Sequence, residues 1–278
     1  PFGTNFGYFG GGWSSMSTVD RVDYSNDTAT ASSKGPLSDG RSTLGAAGNT
    51  SFGYFGGGFG PKSTVDRVDY SNDTATASSK GPLSESRRDV TATGNASFGY
   101  FGGGEPDTST VDRIDYSNDT ATAVAKGPLT TNRKRAAATG NQNFGYFGGG
   151  LGTSRVDRVD YSNDTANASP KGPLSGSKQY LAATGNSNFG YFGGGSSPDK
   201  STVDRIDYNN DTATASPKGP LSVARYHLAA TGNDSFGYFA GGAPGAPFSL
   251  IDRVDYSSDT STASPKGPLS ANRRSMAG

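Results

Sequence analysis

One unit of about 46 residues recurs six times along the chain, and this repetition constrains the fold more than any single motif does. The repeats are separated by 46, 46, 46, 45 and 47 residues. The heptapeptide FGYFGGG begins at Phe6, Phe52, Phe98, Phe144 and Phe189, and it returns as FGYFAGG at Phe236. A unit of this length cannot bury a hydrophobic face alone, so each copy must pack against its neighbours.

Each unit contains the pattern of four short antiparallel strands, as the second copy illustrates. The small apolar residues 44–49 suit an innermost strand, and residues 52–57 form a second strand with an interior glycine. Residues 64–70 alternate with period two, the turn residues 71–73 follow, and residues 74–78 predict an outer strand. Four strands per unit and a period in this range predict an all-β chain folded as a six-bladed β-propeller.

The two ends of the chain predict how the ring closes. Arg41 lies 11 residues before Phe52, and joining the five residues after Arg273 to the six residues ending at Phe6 restores that spacing. The C-terminal residues therefore predict the inner strand of a blade whose other three strands come from the N-terminus, a one-plus-three closure. Residues 1–278 form a single domain in this scheme, and a start at Pro1 instead of methionine is expected for a piece of a longer protein.

The unit resembles the kelch repeat over the whole chain. YFGGG is similar to the kelch strand that ends in a glycine doublet, VDRVDYSNDT to its tyrosine strand and turn, and GPLSxxR to its proline–arginine linker. The tryptophan that kelch repeats carry seven residues after that tyrosine is alanine here, so the outer strand is expected to pack differently. Repeats of this FGYFGGG…DRVDYSNDT type are also similar to those in virion and tail proteins of marine phages, which implies a virion surface protein.

Composition argues against several classes of function. The net charge is zero, with 25 basic and 25 acidic residues, so a nucleic-acid partner is not expected. No stretch approaches the ~20 apolar residues of a membrane span, so insertion into a membrane is not expected either. Cysteine is absent and His227 is the only histidine, so we predict no metal centre, no cofactor and no catalytic residues. A hydrolase that uses a pair of aspartates stays open, although nearly all aspartates occupy positions repeated in every unit.

Two segments of the unit vary between copies. One follows GGG, and the other is the residue pair after the basic residue of the linker. In an up-and-down blade both connections emerge on the same face, which is where repeat proteins place their binding residues. Aromatic residues there that the frame does not require, together with irregular basic residues, are our candidate ligand contacts: Trp13, Phe59, Arg88, Lys134, Arg135, Tyr180, Tyr226 and His227.

The repeated charges have a different predicted role. We expect the linker cations, such as Arg41, to bond carbonyl groups or aspartates between blades. The aspartates of DRVD, such as Asp20 and Asp23, are predicted to be blade-to-blade partners. Arg88, Lys134 and Arg135 occur irregularly, and we expect them to face an anionic ligand.

The variable face and the missing catalytic chemistry favour a non-enzymatic binding module, and the resemblance to phage repeats implies a phage tail fibre or other virion surface protein. Its extracellular partners would be a host surface glycan or protein and other virion proteins. The alternatives are a kelch-type interaction domain that binds an acidic peptide, and a purely structural spacer.

Overall fold

The computed structural model describes residues 5–196, 198–246 and 248–278, and these ranges form six β-sheets. The innermost strands of successive sheets pack side by side around a central channel. The prediction of a six-bladed β-propeller is therefore confirmed. The helices in these ranges are single three-residue turns, and none is long or apolar enough to cross a bilayer.

The strands repeat in the same order in every blade. The innermost strands are β4 (Gly45–Gly48), β8 (Thr91–Gly94), β12 (Ala137–Gly140), β16 (Ala182–Gly185) and β20 (Ala229–Gly232). The FGYF strands are β1 (Phe6–Gly10), β5 (Phe52–Gly56), β9 (Phe98–Gly102), β13 (Phe144–Gly148), β17 (Phe189–Gly193) and β21 (Phe236–Ala240). The third strands are β2 (Val19–Asp23), β6 (Val65–Asp69), β10 (Val111–Asp115), β14 (Val156–Asp160), β18 (Val203–Asp207) and β22 (Ile251–Asp255). The outer strands are β3 (Ser32–Lys34), β7 (Ser78–Ser79), β11 (Val124–Ala125), β15 (Ser169–Lys171), β19 (Ser216–Lys218) and β23 (Ser264–Lys266).

A 3₁₀ turn follows each third strand. These turns are Tyr24–Asn26, Tyr70–Asn72, Tyr116–Asn118, Tyr161–Asn163, Tyr208–Asn210 and Tyr256–Ser258. Each FGYF strand pairs antiparallel with the third strand of its blade in one register, so that Tyr54, for example, lies opposite Arg67.

The prediction that residues 74–78 form the outer strand was wrong, because that segment turns toward the preceding blade. Asp73 accepts hydrogen bonds from Tyr8 and Arg21 of that blade, at 3.0 and 2.7 Å. The N–H of Ala77, a buried alanine at the kelch tryptophan position, donates to the carbonyl of Pro36. Contacts with the neighbouring blade thus override the β-propensity of the threonines, and pairing with β6 begins only at β7.

Aromatic side chains pack each blade against the next. Phe55 fills the space beside Gly10 of the first blade, where a Cβ would lie 2.7 Å from its ring. Tyr8 stacks on Tyr70 of the second blade with ring centroids 4.5 Å apart, and equivalent tyrosine pairs join all six blades. The core is therefore divided into six clusters, each between two blades, among the described residues.

The ring closes through its two ends, as predicted. Gly10 and Ala277 exchange two backbone hydrogen bonds of 2.8 and 3.0 Å. The side chain of Arg273 bonds Asp20 of β2 at 2.5 Å. The C-terminal segment makes this contact as an isolated bridge, shorter than the inner strands of the other blades.

Candidate binding face

The two variable segments meet on one face of the disc, which we call the variable face. The N–H of Phe59, in the segment after GGG, donates to the carbonyl of Ser42 in the linker at 2.8 Å. Near the C-terminus, Tyr226 of a linker and Ala243 of the segment after FGYFAGG exchange two backbone hydrogen bonds. The frame of each blade therefore brings its two non-repeated segments together.

The basic residues of the linkers hold the blades and do not face solvent. Arg41 is fully buried; its Nη2 lies 2.7 Å from Asp66, and its Nη1 donates to the carbonyls of Gly57 and Thr64. The equivalent buried ion pairs are Arg87–Asp112, Arg133–Asp157, Lys178–Asp204, Arg225–Asp252 and Arg273–Asp20. Burial lowers the pKa of Lys178, which occupies an arginine position. These contacts confirm the structural role predicted for the linker cations.

The two aspartates of DRVD have different roles. Asp20 accepts from the N–H and hydroxyl of Ser270 as well as from Arg273, so it joins the last blade to the first as predicted. The same prediction for Asp23 was wrong, because its carboxylate accepts from Ser25 and caps the local 3₁₀ turn. Residues three apart in a strand point to opposite sides of the sheet, so the two carboxylates cannot share a partner.

Six linker residues form a closed ring of backbone hydrogen bonds at the channel mouth on the variable face. We call Thr43, Asp89, Arg135, Tyr180, His227 and Ser275 the mouth ring. In each case the N–H of one residue donates to the carbonyl of its counterpart in the preceding unit, at 2.8 to 3.3 Å. The bond from Thr43 to Ser275 completes the circle. The six side chains line a single cavity at this mouth.

Every residue of the mouth ring has a left-handed backbone, with φ between 53° and 61°. This conformation costs a residue with a side chain about 1–2 kcal/mol, whereas glycine adopts it freely. The same units use glycine at other positive-φ positions, such as Gly57 and Gly58, but never here. The mouth ring is also a position at which six units carry six different residue types. Six different side chains are thus kept in a backbone conformation that glycine would adopt without strain. This indicates that the side chains themselves serve a function.

Four of the predicted contact residues come together at the mouth ring. Arg135 lies over the ring of Tyr180 at 4.7 Å, and Tyr180 contacts His227 with centroids 3.7 Å apart. Tyr226 packs beside both, 6.3 Å from Tyr180. The hydroxyl of Ser275 lies 3.1 Å from Nδ1 of His227. This side of the mouth is therefore an aromatic wall with hydrogen-bonding groups.

Trp13 and Phe59 form a second, more exposed aromatic group on the same face. Their side chains are 49% and 47% exposed, and their ring centroids are 6.4 Å apart. Arg274 lies over Trp13 at 4.9 Å and Arg88 lies over Phe59 at 5.2 Å. The loops of the first two blades thus present two adjacent aromatic rings with a guanidinium group at each end.

The irregular basic residues are paired with acids of this chain. Arg88 lies 2.8 Å from Glu105, Lys134 lies 3.1 Å from Glu105 and 3.0 Å from Asp107, and Nε of Arg135 lies 3.6 Å from Asp89. Their expected contact with an anionic ligand stays a prediction, although most of their charge is balanced within the protein. Arg274 differs, because no carboxylate lies within 4 Å of it in the described ranges.

His227 should titrate far below an ordinary histidine. Burial, reinforced by Arg274 and Arg135, lowers its pKa to about 4. Since the folded pKa lies below the unfolded value of about 6.5, its contribution to stability is complete above pH 6.5 and is lost as the pH falls toward 4. Partial exposure limits the expected loss to about 1–2 kcal/mol relative to His227→Gln.

Two measurements check this expectation. An NMR titration should place the midpoint of the single imidazole near pH 4. Urea unfolding of both proteins between pH 4 and 7 should show the predicted divergence. A midpoint above 6 would contradict the partly buried position of His227.

Sequence reasoning missed three members of the mouth ring, namely Thr43, Asp89 and Ser275. They are neither aromatic nor irregularly basic, so residue type alone did not select them. The signal was present in the alignment of the units, where this position changes type in every copy. Among the described residues, no group of three or more histidine or acidic side chains is placed to hold a metal ion.

Comparison with known proteins supports the fold alone. No protein-family model and no curated protein sequence matches the chain. The solved structure described as "Structure of YjhT" is similar over 96% of this chain and 95% of its own, with a TM-score of 0.75 and 13% identity. At that identity the likeness establishes the six-bladed propeller architecture.

Proposed function

We propose that this propeller is a non-enzymatic binding module that recognises a host surface glycan or protein through the variable face. The observation that carries the proposal is the mouth ring, in which six different side chains are held in a strained backbone conformation. A constant frame that displays changing side chains at one position is the arrangement expected of a recognition surface.

The alternatives account for less of the structure. A spacer needs no side chains at the mouth ring, and glycine there would remove the strain. An acidic peptide would have to compete with Glu105, Asp107 and Asp89 for Arg88, Lys134 and Arg135. A serine nucleophile is also disfavoured, because in the described ranges the Ser275–His227 pair has no carboxylate bonded to the imidazole.

A glycan is the ligand that the surface chemistry favours most. Sugars present apolar faces that pack on aromatic rings and hydroxyls that need hydrogen-bonding partners. The face supplies rings at Trp13, Phe59 and Tyr226, and the mouth ring supplies hydroxyl, carboxylate, guanidinium and imidazole groups. Placement in a phage tail fibre or other virion surface protein, and therefore outside the cell, is supported by the resemblance of the repeats.

A glycan-array screen of the purified domain tests this function. We expect binding to a limited set of glycans, with at least a tenfold loss when Trp13, Tyr180 and Tyr226 are all changed to Ala. Val124→Ser is the matched control, because it removes an exposed apolar side chain from β11 and introduces the serine that the other five units carry at this position. Silence across the array would exclude glycan recognition and favour a structural virion component or a peptide-binding domain.

A further inference from the structure

A layer of aliphatic side chains lies directly beneath the mouth ring and is interrupted in one blade. The residue after each member of the ring supplies this layer: Leu44, Val90, Ala136, Leu181, Leu228 and Met276. These six residues line the same cavity as the ring and also the channel that continues beneath it, and we call them the floor residues. Five of these residues are buried at 4–5% exposure, whereas Ala136 is only partly buried.

The glycines of the GGG segment show what each residue of the layer covers. A Cβ on Gly57 would meet the side chain of Val90 at 2.8 Å, and one on Gly194 would meet Leu228 at 2.9 Å. The floor residue therefore covers a glycine of the preceding unit. At Gly103 the nearest atoms all belong to Arg133, and no floor side chain covers it. The carbonyl oxygen of Arg133 lies 2.2 Å from the place of such a Cβ, and Ala136 lacks the carbon atoms beyond Cβ that the other floor residues have. We call this position the Ala136 notch.

The floor residues of the adjoining units, Val90 and Leu181, are apolar, and the rim above the notch is polar. The ion pair of Asp89 and Arg135 lies in the ring immediately above it. A group that is apolar at its tip and polar where it is attached fits this arrangement, because the tip leaves water while the attachment keeps hydrogen bonds. The methyl of an N-acetyl or 6-deoxy substituent has this character.

We propose that the mouth ring receives the terminal residue of a glycan end-on and that the Ala136 notch takes its N-acetyl or 6-deoxy methyl group. This proposal rests on the proposed function. The ring encircles the channel axis, so a terminal sugar enters it more readily than an internal one.

Ala136→Leu tests the notch with little risk to the fold, since leucine occupies this position in three other units. The probes are glycoconjugates in matched pairs, ending in N-acetylglucosamine or glucose and in L-fucose or its 6-hydroxy counterpart L-galactose. We expect the native protein to bind the methyl-bearing member of at least one pair about tenfold more tightly. The variant should lose that preference, retain the weaker binding and melt no lower than the native protein, while Val124→Ser should change nothing.

The imidazole resonance of His227 reports whether the sugar occupies the mouth. It should shift when the preferred glycoconjugate binds the native protein. A variant that keeps the preference, a native protein without one, or binding that leaves this resonance unmoved would overturn the notch while glycan recognition stands. A native protein that binds no saccharide would overturn the notch and glycan recognition together.

Discussion

Deleting residues 275–278 should lower the melting temperature by about 10 °C or more. The deletion removes both backbone bonds between Ala277 and Gly10 and two bonds of the mouth ring. It also removes Met276, which is buried in the cluster between the last and first blades. Loss of a buried methionine costs about 2–5 kcal/mol, and each backbone bond adds about 1 kcal/mol. In a chain of this size each kcal/mol corresponds to about 2–4 °C.

Thermal unfolding followed by circular dichroism measures this effect. The matched control is Met276→Leu, which introduces the residue found in three other units and should leave the melting temperature nearly unchanged. The deletion also frees the inner edge of β1, so self-association by edge pairing is expected in size-exclusion chromatography. An unchanged melting temperature would mean that the C-terminal segment does not close the ring.

This closure was predictable from the sequence because it depends only on spacing. The repeat period predicts six blades. The 11-residue spacing from the linker arginine to the phenylalanine of FGYF predicts that the N- and C-terminal segments of the chain belong to one blade. The outer strand was not predictable in the same way. Its start depends on Asp73 reaching Tyr8 of the preceding blade, 65 residues away in the chain, and no local pattern records that contact.

The candidate site was predictable only in part, for a similar reason. The aromatic and basic residues could be chosen by type, and the structure places all of them on the variable face. The pairing of Arg88 and Lys134 with Glu105 joins segments of successive units, so their charge balance could not be read from either segment alone. The left-handed backbone of residues such as Tyr180 was equally hidden, because glycine is the residue that normally marks it.

The buried ion pairs predict the second large effect, since Asp112→Ala should lower the free energy of unfolding by about 3–5 kcal/mol. Asp112 is fully buried and accepts from Arg87 at 2.6 Å and from the N–H and hydroxyl of Ser84 at 3.0 and 2.6 Å. Removing the carboxylate leaves the guanidinium buried without a counter-charge, which costs more than the lost bonds alone. Urea unfolding followed by intrinsic fluorescence measures the change.

Asp115→Ala is the matched control, because it removes the same side chain from the same strand. Asp115 lies near the surface and caps a 3₁₀ turn through Ser117, so its loss should cost about 1 kcal/mol. Replacing both partners of the pair, Arg87→Met with Asp112→Leu, should destabilise less than Asp112→Ala alone, since no unpaired charge then remains. Equal losses for Asp112→Ala and Asp115→Ala would show that the ion pair does not hold the linker to the blade. A double variant as unstable as Asp112→Ala would assign the cost to packing and not to the uncompensated charge.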